Sequence, residues 1–382
     1  MADSVRTGSP VREQVALADY TTLRLGGPAR RLVDAATEAA IVAEVEAADE
    51  RDEPLLVLGG GSNLVVADEG FPGTVVHVTT SGVRHRTTGH GAGPGLVEVT
   101  VAAGEDWDAV VAGCVGEGLA GLECLSGIPG RAGATPIQNV GAYGQEVAER
   151  IISVRVYDRA RRAVIDLAGA DCGFGYRTSA FKRSLQPVPG AVTGRFVVLS
   201  VRFQLDRDHL STPVRYAELA RALGVPEGSR APLADVRSAV LGLRRGKGMV
   251  LDPGDPDTRS VGSFFLNPVL DRGQLAAVER AARAVAGPGA RVPAYPAGDG
   301  QVKVSAAWLI EQAGFRKGYP AAGAAASPAG ARISSKHTLA LVNPGEATTA
   351  GLLALAREIR EGVRAAFGVE LASEPVLVGA GL

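Results

Sequence analysis

The sequence predicts an α+β protein of two or three domains. Three observations lead there. Its 382 residues exceed one ordinary domain. Short β-branched runs alternate with amphipathic helical runs, and glycine-rich stretches interrupt them. A linker, Asp252-Pro-Gly-Asp-Pro-Asp-Thr-Arg, separates a strand-rich part from a part with three predicted helices.

The elements follow in order. Leu32-Val33 begins a strand, and Thr37 is a plausible N-cap for a helix in which Ile41, Val45 and Ala48 share one face. Residues 55–58, 64–67 and 74–78 read as short strands bounded by Gly, Pro and Asp. An alternating strand at 96–102 precedes a helix from 107 to about 117. Residues 121–144 are rich in glycine and proline with little regular pattern, longer than a plain loop, which points to function. Strands at 153–157 and 196–203 and a helix near 233–245 complete this part. Beyond the linker come helices near 275–285, 305–313 and 347–367, a low-complexity loop at 319–331, and a tail strand at 371–377.

Composition narrows the function classes. With 46% hydrophobic and 21% charged residues the chain can bury sizeable cores. A net charge of −1 gives no electrostatic case for nucleic acid or an anionic membrane. Cys114, Cys124 and Cys172 are scattered and lack CxxC spacing, so they read as buried thiols in a reducing compartment. His77, His85, His90, His209 and His337 form no metal-ligand or triad pattern, and no metal is expected. The opening MADSVRTGSPVRE has no apolar run, and no stretch approaches the ~18 apolar residues of a membrane span. The expectation is a soluble cytoplasmic protein.

The stretch Leu55-Leu-Val-Leu-Gly-Gly-Gly-Ser-Asn-Leu-Val-Val-Ala67 sets three glycines between apolar runs. A Rossmann site needs GxGxxG between a strand and a helix. Here Leu64 stands where the third glycine belongs, and a strand follows instead of a helix. No Gly-Lys-Ser/Thr follows, which excludes a P-loop. A strand–turn–strand nest whose N–H groups hold phosphate oxygens remains, with a tight hairpin as the plain alternative. The second glycine-rich stretch, residues 126–144, offers another surface of exposed backbone, so a ligand spanning both, such as a dinucleotide, fits the pair.

LGGGSNL, SGIPGRAGATPIQNVGAYGQE, YRTSAFK and GSFFLNP occur in one order along the chain. In these motifs the sequence resembles the UDP-N-acetylenolpyruvoylglucosamine reductase (MurB) family, flavoenzymes of peptidoglycan precursor synthesis with a vanillyl-alcohol-oxidase-type FAD fold. The resemblance covers roughly residues 17–379. It implies a two-subdomain FAD-binding fold, residues 14–80 and 81–254 with the C-terminal strand 370–382, plus an α+β substrate-binding domain at 255–369. FAD would be held by Gly59, Gly60, Gly61, Ser62 and Asn63. The second loop would add Ile128, Pro129, Gly130, Gly133, Thr135, Asn139, Gly141, Ala142 and Tyr143. NADPH would reduce the flavin, which would reduce the enolpyruvyl ether of the UDP-sugar substrate.

The resemblance also implies the catalytic group. Arg177 would stabilise the enolate-like charge at the substrate carboxylate, Ser263 would donate the proton, and Glu374 would share that charge. Near Glu374 the sequence departs from the family pattern, with Pro375 following and Ala372 replacing an acidic residue. Tyr176, Tyr216, Arg244, Lys247, Asn267 and Tyr295 would bind the substrate, cations and phenols suiting a diphosphate and a planar uracil. Lys303 reads as structural, and a monomer is the default. Two alternatives stand beside this reading: another FAD-linked oxidase on the same fold, and a flavin or UDP-sugar sensor without turnover.

Overall fold

The computed structural model describes residues 10–88 (to 87 for side chains), 95–185, 192–298, 300–320 and 330–382. The low-complexity stretch 321–329 and His90 lie outside the described residues. Contacts divide the chain into two compact units. The first comprises residues 1–15, 28–61 and 71–250; the second comprises 16–27, 62–70 and 251–382.

Among the described residues the first unit holds two larger sheets and a two-stranded ribbon. One runs in the order Val11–Ala16, Pro28–Ala35, Phe71–Val78, Leu55–Leu58, and its last three strands are parallel. Helix Glu38–Glu50 makes the crossover that parallel strands require. As its sequence predicts, the Thr37 hydroxyl accepts from the Ala40 N–H (3.1 Å), and Ile41, Val45 and Ala48 are buried.

The second sheet is antiparallel and ordered Ala163–Ala168, Ile151–Asp158, Phe196–Arg207, Leu96–Ala102, Val83–Thr88, with Leu119–Ala120 pairing beside the long central strand. Val97, Val99, Val101, Leu199, Val201 and Phe203 face one core, which also takes Trp107 and Val111 from helix Trp107–Gly116. Trp107 is fully buried, its indole donating to the Leu125 carbonyl (3.3 Å), and it anchors the start of the long glycine-rich loop.

The second unit is built round a core of Phe264, Phe265, Leu309, Leu352, Leu355 and Ile359. Three helices pack there: Arg272–Ala286, Ala306–Gln312 and Thr349–Phe367. The first carries a full capping box between Asp271 and Gln274. One small sheet orders Ser260–Ser263, Ala340–Val342, Arg332–Ile333; another orders Val269–Leu270, Val302–Val304, Ala294–Pro296. Among the described residues no helix is long and apolar enough to cross a membrane.

The plain alternative left open at the glycine turn, a tight hairpin, does not hold. Leu55–Leu58 and Leu64–Val66 are not a hairpin: the first pairs with Phe71–Val78, the second with the tail strand Val376–Val378, both in parallel. The glycine turn is therefore where the chain leaves one sheet for another. By contacts the tail groups with residues 62–70 and 251–382, where its ladder partner lies.

The turn between Ile151–Asp158 and Ala163–Ala168 is held by one carboxylate. Asp158 accepts from the Ala160 N–H (3.1 Å) and takes a forked pair from Arg195, Nε at 2.7 Å and Nη2 at 2.6 Å. The Arg195 hydrogen bonds hold the Asp158 carboxyl below its ordinary range. A depressed carboxyl adds stability above the ordinary carboxylate range and loses it as pH falls through the folded-state value. Asp158→Asn is expected to lower the urea midpoint at pH 7, and the difference from the parent should shrink as the titrations are repeated at increasingly acid pH.

Candidate active site

In the first unit the two glycine-rich loops are pressed backbone to backbone. A Cβ on Gly60 would lie 2.8 Å from the Gly130 Cα, so no other residue fits without moving the facing loop. Gly61 (φ +59°) and Gly130 (φ +123°) have left-handed backbone, which glycine adopts freely. Gly59 is looser, its Cβ position 3.5 Å from Arg131 Cβ. The touching loops form a surface of small residues, with Gly59, Gly60, Ile128, Pro129 and Gly130 part-exposed. That cradle fits the diphosphate of a dinucleotide, which needs close backbone approach.

Deeper in the loop the predicted residues serve the fold. The Gly133 N–H donates to the Ala103 carbonyl (2.9 Å), and a Cβ there would lie 2.5 Å from Ala103 Cβ. Thr135 is buried, its hydroxyl donating to the Ala132 carbonyl (2.8 Å). Asn139 is buried with left-handed backbone (φ +48°); its Nδ2 donates to Glu146 Oε2 (2.7 Å) and to the Gly175 carbonyl (3.1 Å). Gly141 and Ala142 pair with Gln145 and Glu146 in a two-strand ribbon that ends the loop.

Arg177 also has left-handed backbone (φ +52°). Its Nη2 donates to the Gly141 carbonyl (2.8 Å) and its Nη1 to the Asn139 carbonyl (3.4 Å), while the guanidinium lies 5.6 Å from the Tyr176 ring centre. The same unit carries a second polar cluster. Tyr143 and Tyr216 meet edge to face at 5.4 Å, and Lys247 Nζ sits 5.5 Å from the Tyr143 ring while donating to Glu218 Oε2 (2.6 Å). Arg244 is 8% exposed; its Nη2 donates to the Met249 carbonyl (2.8 Å), and its buried Nε has no partner among the described residues. Burial pulls the Arg244 guanidinium down to about 10 and pushes the Tyr143 phenol up to about 12.

In the second unit the tail brings predicted residues together. The Glu374 N–H donates to the Phe264 carbonyl (2.9 Å), and Ser373 bridges Phe265, so Glu374 lies beside the strand end that carries Ser263. Among the described residues the Ser263 hydroxyl has no hydrogen-bond partner. Two residues on, the Val376 N–H donates to the Asn63 carbonyl (3.0 Å). Pro375, the departure from the family pattern, sits where the tail changes partner and has no N–H to place. Ser62 is part-buried beside Asn63 in this unit.

Asn267 and Tyr295 are placed differently from the other predicted substrate residues. The Asn267 Oδ1 accepts from the Ala306 N–H (2.9 Å), fixing the start of helix Ala306–Gln312. Tyr295 is 56% exposed on the edge strand Ala294–Pro296. Sequence reasoning missed Glu146 and Glu218. The signal for Glu146 was present, since it ends the quoted PIQNVGAYGQE motif; nothing local marked Glu218 as the partner of Lys247. No group of three or more His, Cys, Asp or Glu among the described residues could hold a metal ion.

Residues 29–167 match the model of an FAD binding domain, and residues 255–378 match that of the UDP-N-acetylenolpyruvoylglucosamine reductase C-terminal domain. The UDP-N-acetylenolpyruvoylglucosamine reductase of Thermobifida fusca is 56% identical over 365 residues, 96% of this chain and 97% of the relative. That of Saccharopolyspora erythraea is 56% identical over 384 residues, 100% and 99% of the two chains. Among solved structures, the reductase of Thermus caldophilus superposes with a TM-score of 0.61 at 26% identity, covering 97% of this chain and 99% of that one. With a cradle fit for a dinucleotide, and with identity that runs through both units over almost the whole length, this chain belongs to the UDP-N-acetylenolpyruvoylglucosamine reductase family.

Proposed function

We propose that this chain is an NADPH-dependent, FAD-containing reductase that converts UDP-N-acetylglucosamine enolpyruvate to UDP-N-acetylmuramate, with a serine as the proton donor. Its membership of the family supports the reaction class. The observation that carries the residue assignment is the pairing of the tail with the Phe264 backbone, which sets Glu374 next to Ser263. FAD held at the two glycine-rich loops would supply the hydride chemistry that no protein side chain can.

The protein residues do the rest. Hydride addition drives negative charge toward the substrate carboxylate. The Arg177 guanidinium is the cation assigned to that carboxylate, and it is already oriented by the Gly141 and Asn139 carbonyls. The second carbon then needs a proton. A serine hydroxyl is a weak acid in water, but a carbanionic carbon is a strong base, so a fixed and uncommitted hydroxyl suffices. Glu374 is assigned to share the developing charge. For the substrate diphosphate, Lys247 and Arg244 supply cations, and Tyr176 and Tyr216 supply ring faces and phenol donors, Tyr216 packing edge to face on Tyr143. Gly59, Gly60, Gly61, Ser62, Asn63 and residues 128–130 are the contacts assigned to FAD. Asn267 and Tyr295 remain assigned to the substrate, in the second unit.

Half-reactions separate the roles. Ser263→Ala should leave reduction of bound flavin by NADPH near the parent rate and block its reoxidation by the enolpyruvyl substrate, both read by stopped-flow absorbance. Equal loss in the two halves would remove Ser263 from the proton step. Arg177→Ala is expected to slow reoxidation by the substrate about 10²- to 10³-fold, the usual cost of one donor to a developing oxyanion. A loss confined to KM, with kcat intact, would instead mark Arg177 as a binding residue.

A further inference from the structure

Arg177 is held by main-chain carbonyls, and those carbonyls belong to a loop that is itself under constraint. Asn139 and Arg177 both have left-handed backbone, at φ +48° and +52°. Non-glycine residues rarely adopt this unless the surroundings hold them there. The surroundings converge on one side chain. Asn139 Nδ2 donates to Glu146 Oε2 (2.7 Å) and to the carbonyl of Gly175, two residues before Arg177 (3.1 Å). The Asn139 Oδ1 accepts from the Ala148 N–H (3.2 Å), so both ends of the amide are used. The Glu146 backbone pairs with Gly141, whose carbonyl receives Arg177 Nη2. A Cβ on Gly141 would lie 2.8 Å from Glu146 Cγ, 3.1 Å from the Gln145 carbonyl and 3.2 Å from Arg177 Nη1, so a side chain there would crowd both the carboxylate stem and the guanidinium.

We propose that Glu146 is a positioning residue for Arg177, acting through Asn139; this rests on the reading of Arg177 given above. Its carboxylate makes a charge-assisted bond to the Asn139 amide. That bond locks the amide orientation which ties the loop at 139–141 to the turn at 175–177. The guanidinium is thereby fixed by two carbonyls whose own positions depend on Glu146. The Glu146 carboxylate bonds the Asn139 amide and its backbone pairs with Gly141, the two residues whose carbonyls receive Arg177, so its loss should be felt where Arg177 acts.

The test is a double-mutant cycle on the holoenzyme, with the two half-reactions read separately. Glu146→Ala is expected to slow reoxidation of reduced flavin by the enolpyruvyl substrate about 10- to 100-fold, the scale of a small misplacement of a catalytic group. Flavin content and reduction by NADPH should stay within about twofold of the parent. Glu146→Gln keeps an oxygen to accept from Asn139 and should restore most of the rate. In an Arg177→Ala background, Glu146→Ala should add less than about twofold, because the group it positions is gone. Independent, multiplying effects, equal loss in both halves, or no loss at all would each overturn the proposal. If Glu146→Ala does not retain flavin, Glu146→Asp, which retracts the acceptor by one methylene, decides by the same comparison. An Arg177→Ala protein with normal reoxidation would instead overturn the reading of Arg177 itself.

Discussion

The second unit depends on a tail strand that pairs on both sides. Glu374 donates to the Phe264 carbonyl on one side, while Val376 donates to the Asn63 carbonyl and Val376–Val378 runs parallel to Leu64–Val66 on the other. These bonds join three stretches far apart in sequence: the end of the glycine turn, the Gly-Ser-Phe-Phe strand and the C-terminal residues. Long-range pairing of this kind is costly in chain entropy and must be offset by burial. Phe264, Phe265, Val65 and Leu371 supply it, all nearly or fully inaccessible. Fixing the tail thus fixes the backbone of Glu374.

The first unit meets the same demand by another means. There the site backbone is strained at single residues, with Asn139, Tyr143 and Arg177 all in the left-handed region. Each such residue costs roughly 1–3 kcal/mol and persists only where its neighbours over-determine it. Asn139 has three side-chain hydrogen bonds, Arg177 has two carbonyl acceptors, and Tyr143 has Tyr216 against its ring. The strain coincides with positions that the family motifs single out, which is where pre-organisation is useful.

What could be read from the sequence follows from the range of the interactions. The Thr37 cap, the Ile41/Val45/Ala48 face and the helix after Asp106 are decided within a few residues, and each forms as its pattern predicts. The partner of Leu64–Val66 is some three hundred residues away, so no local pattern distinguishes a hairpin from a crossover there. The same limit explains Gly60. Its composition suggested a ligand, whereas the contact that demands glycine there is with Gly130 of the other loop. Asn267 was legible as a motif residue, but its bond to the Ala306 N–H depends on where a later helix begins. The motifs pointed to the family. The backbone contacts that hold the assigned residues were not written in any one stretch.

Burial shifts two groups of the polar cluster in opposite directions, yet leaves both in their ordinary state near neutrality. Desolvation disfavours whichever form is charged, raising Tyr143 to about 12 and lowering Arg244 to about 10. At neutral pH the phenol therefore keeps its proton and can donate, while the guanidinium remains a cation with one buried N–H unpartnered among the described residues. Lys247 adds a second cation, held beside the Tyr143 ring by Glu218. A partly desolvated cation with an unused donor interacts strongly with an anion, because little water competes for it. The cluster thus sets two cations, one of them paired with Glu218, beside a phenol that keeps its proton.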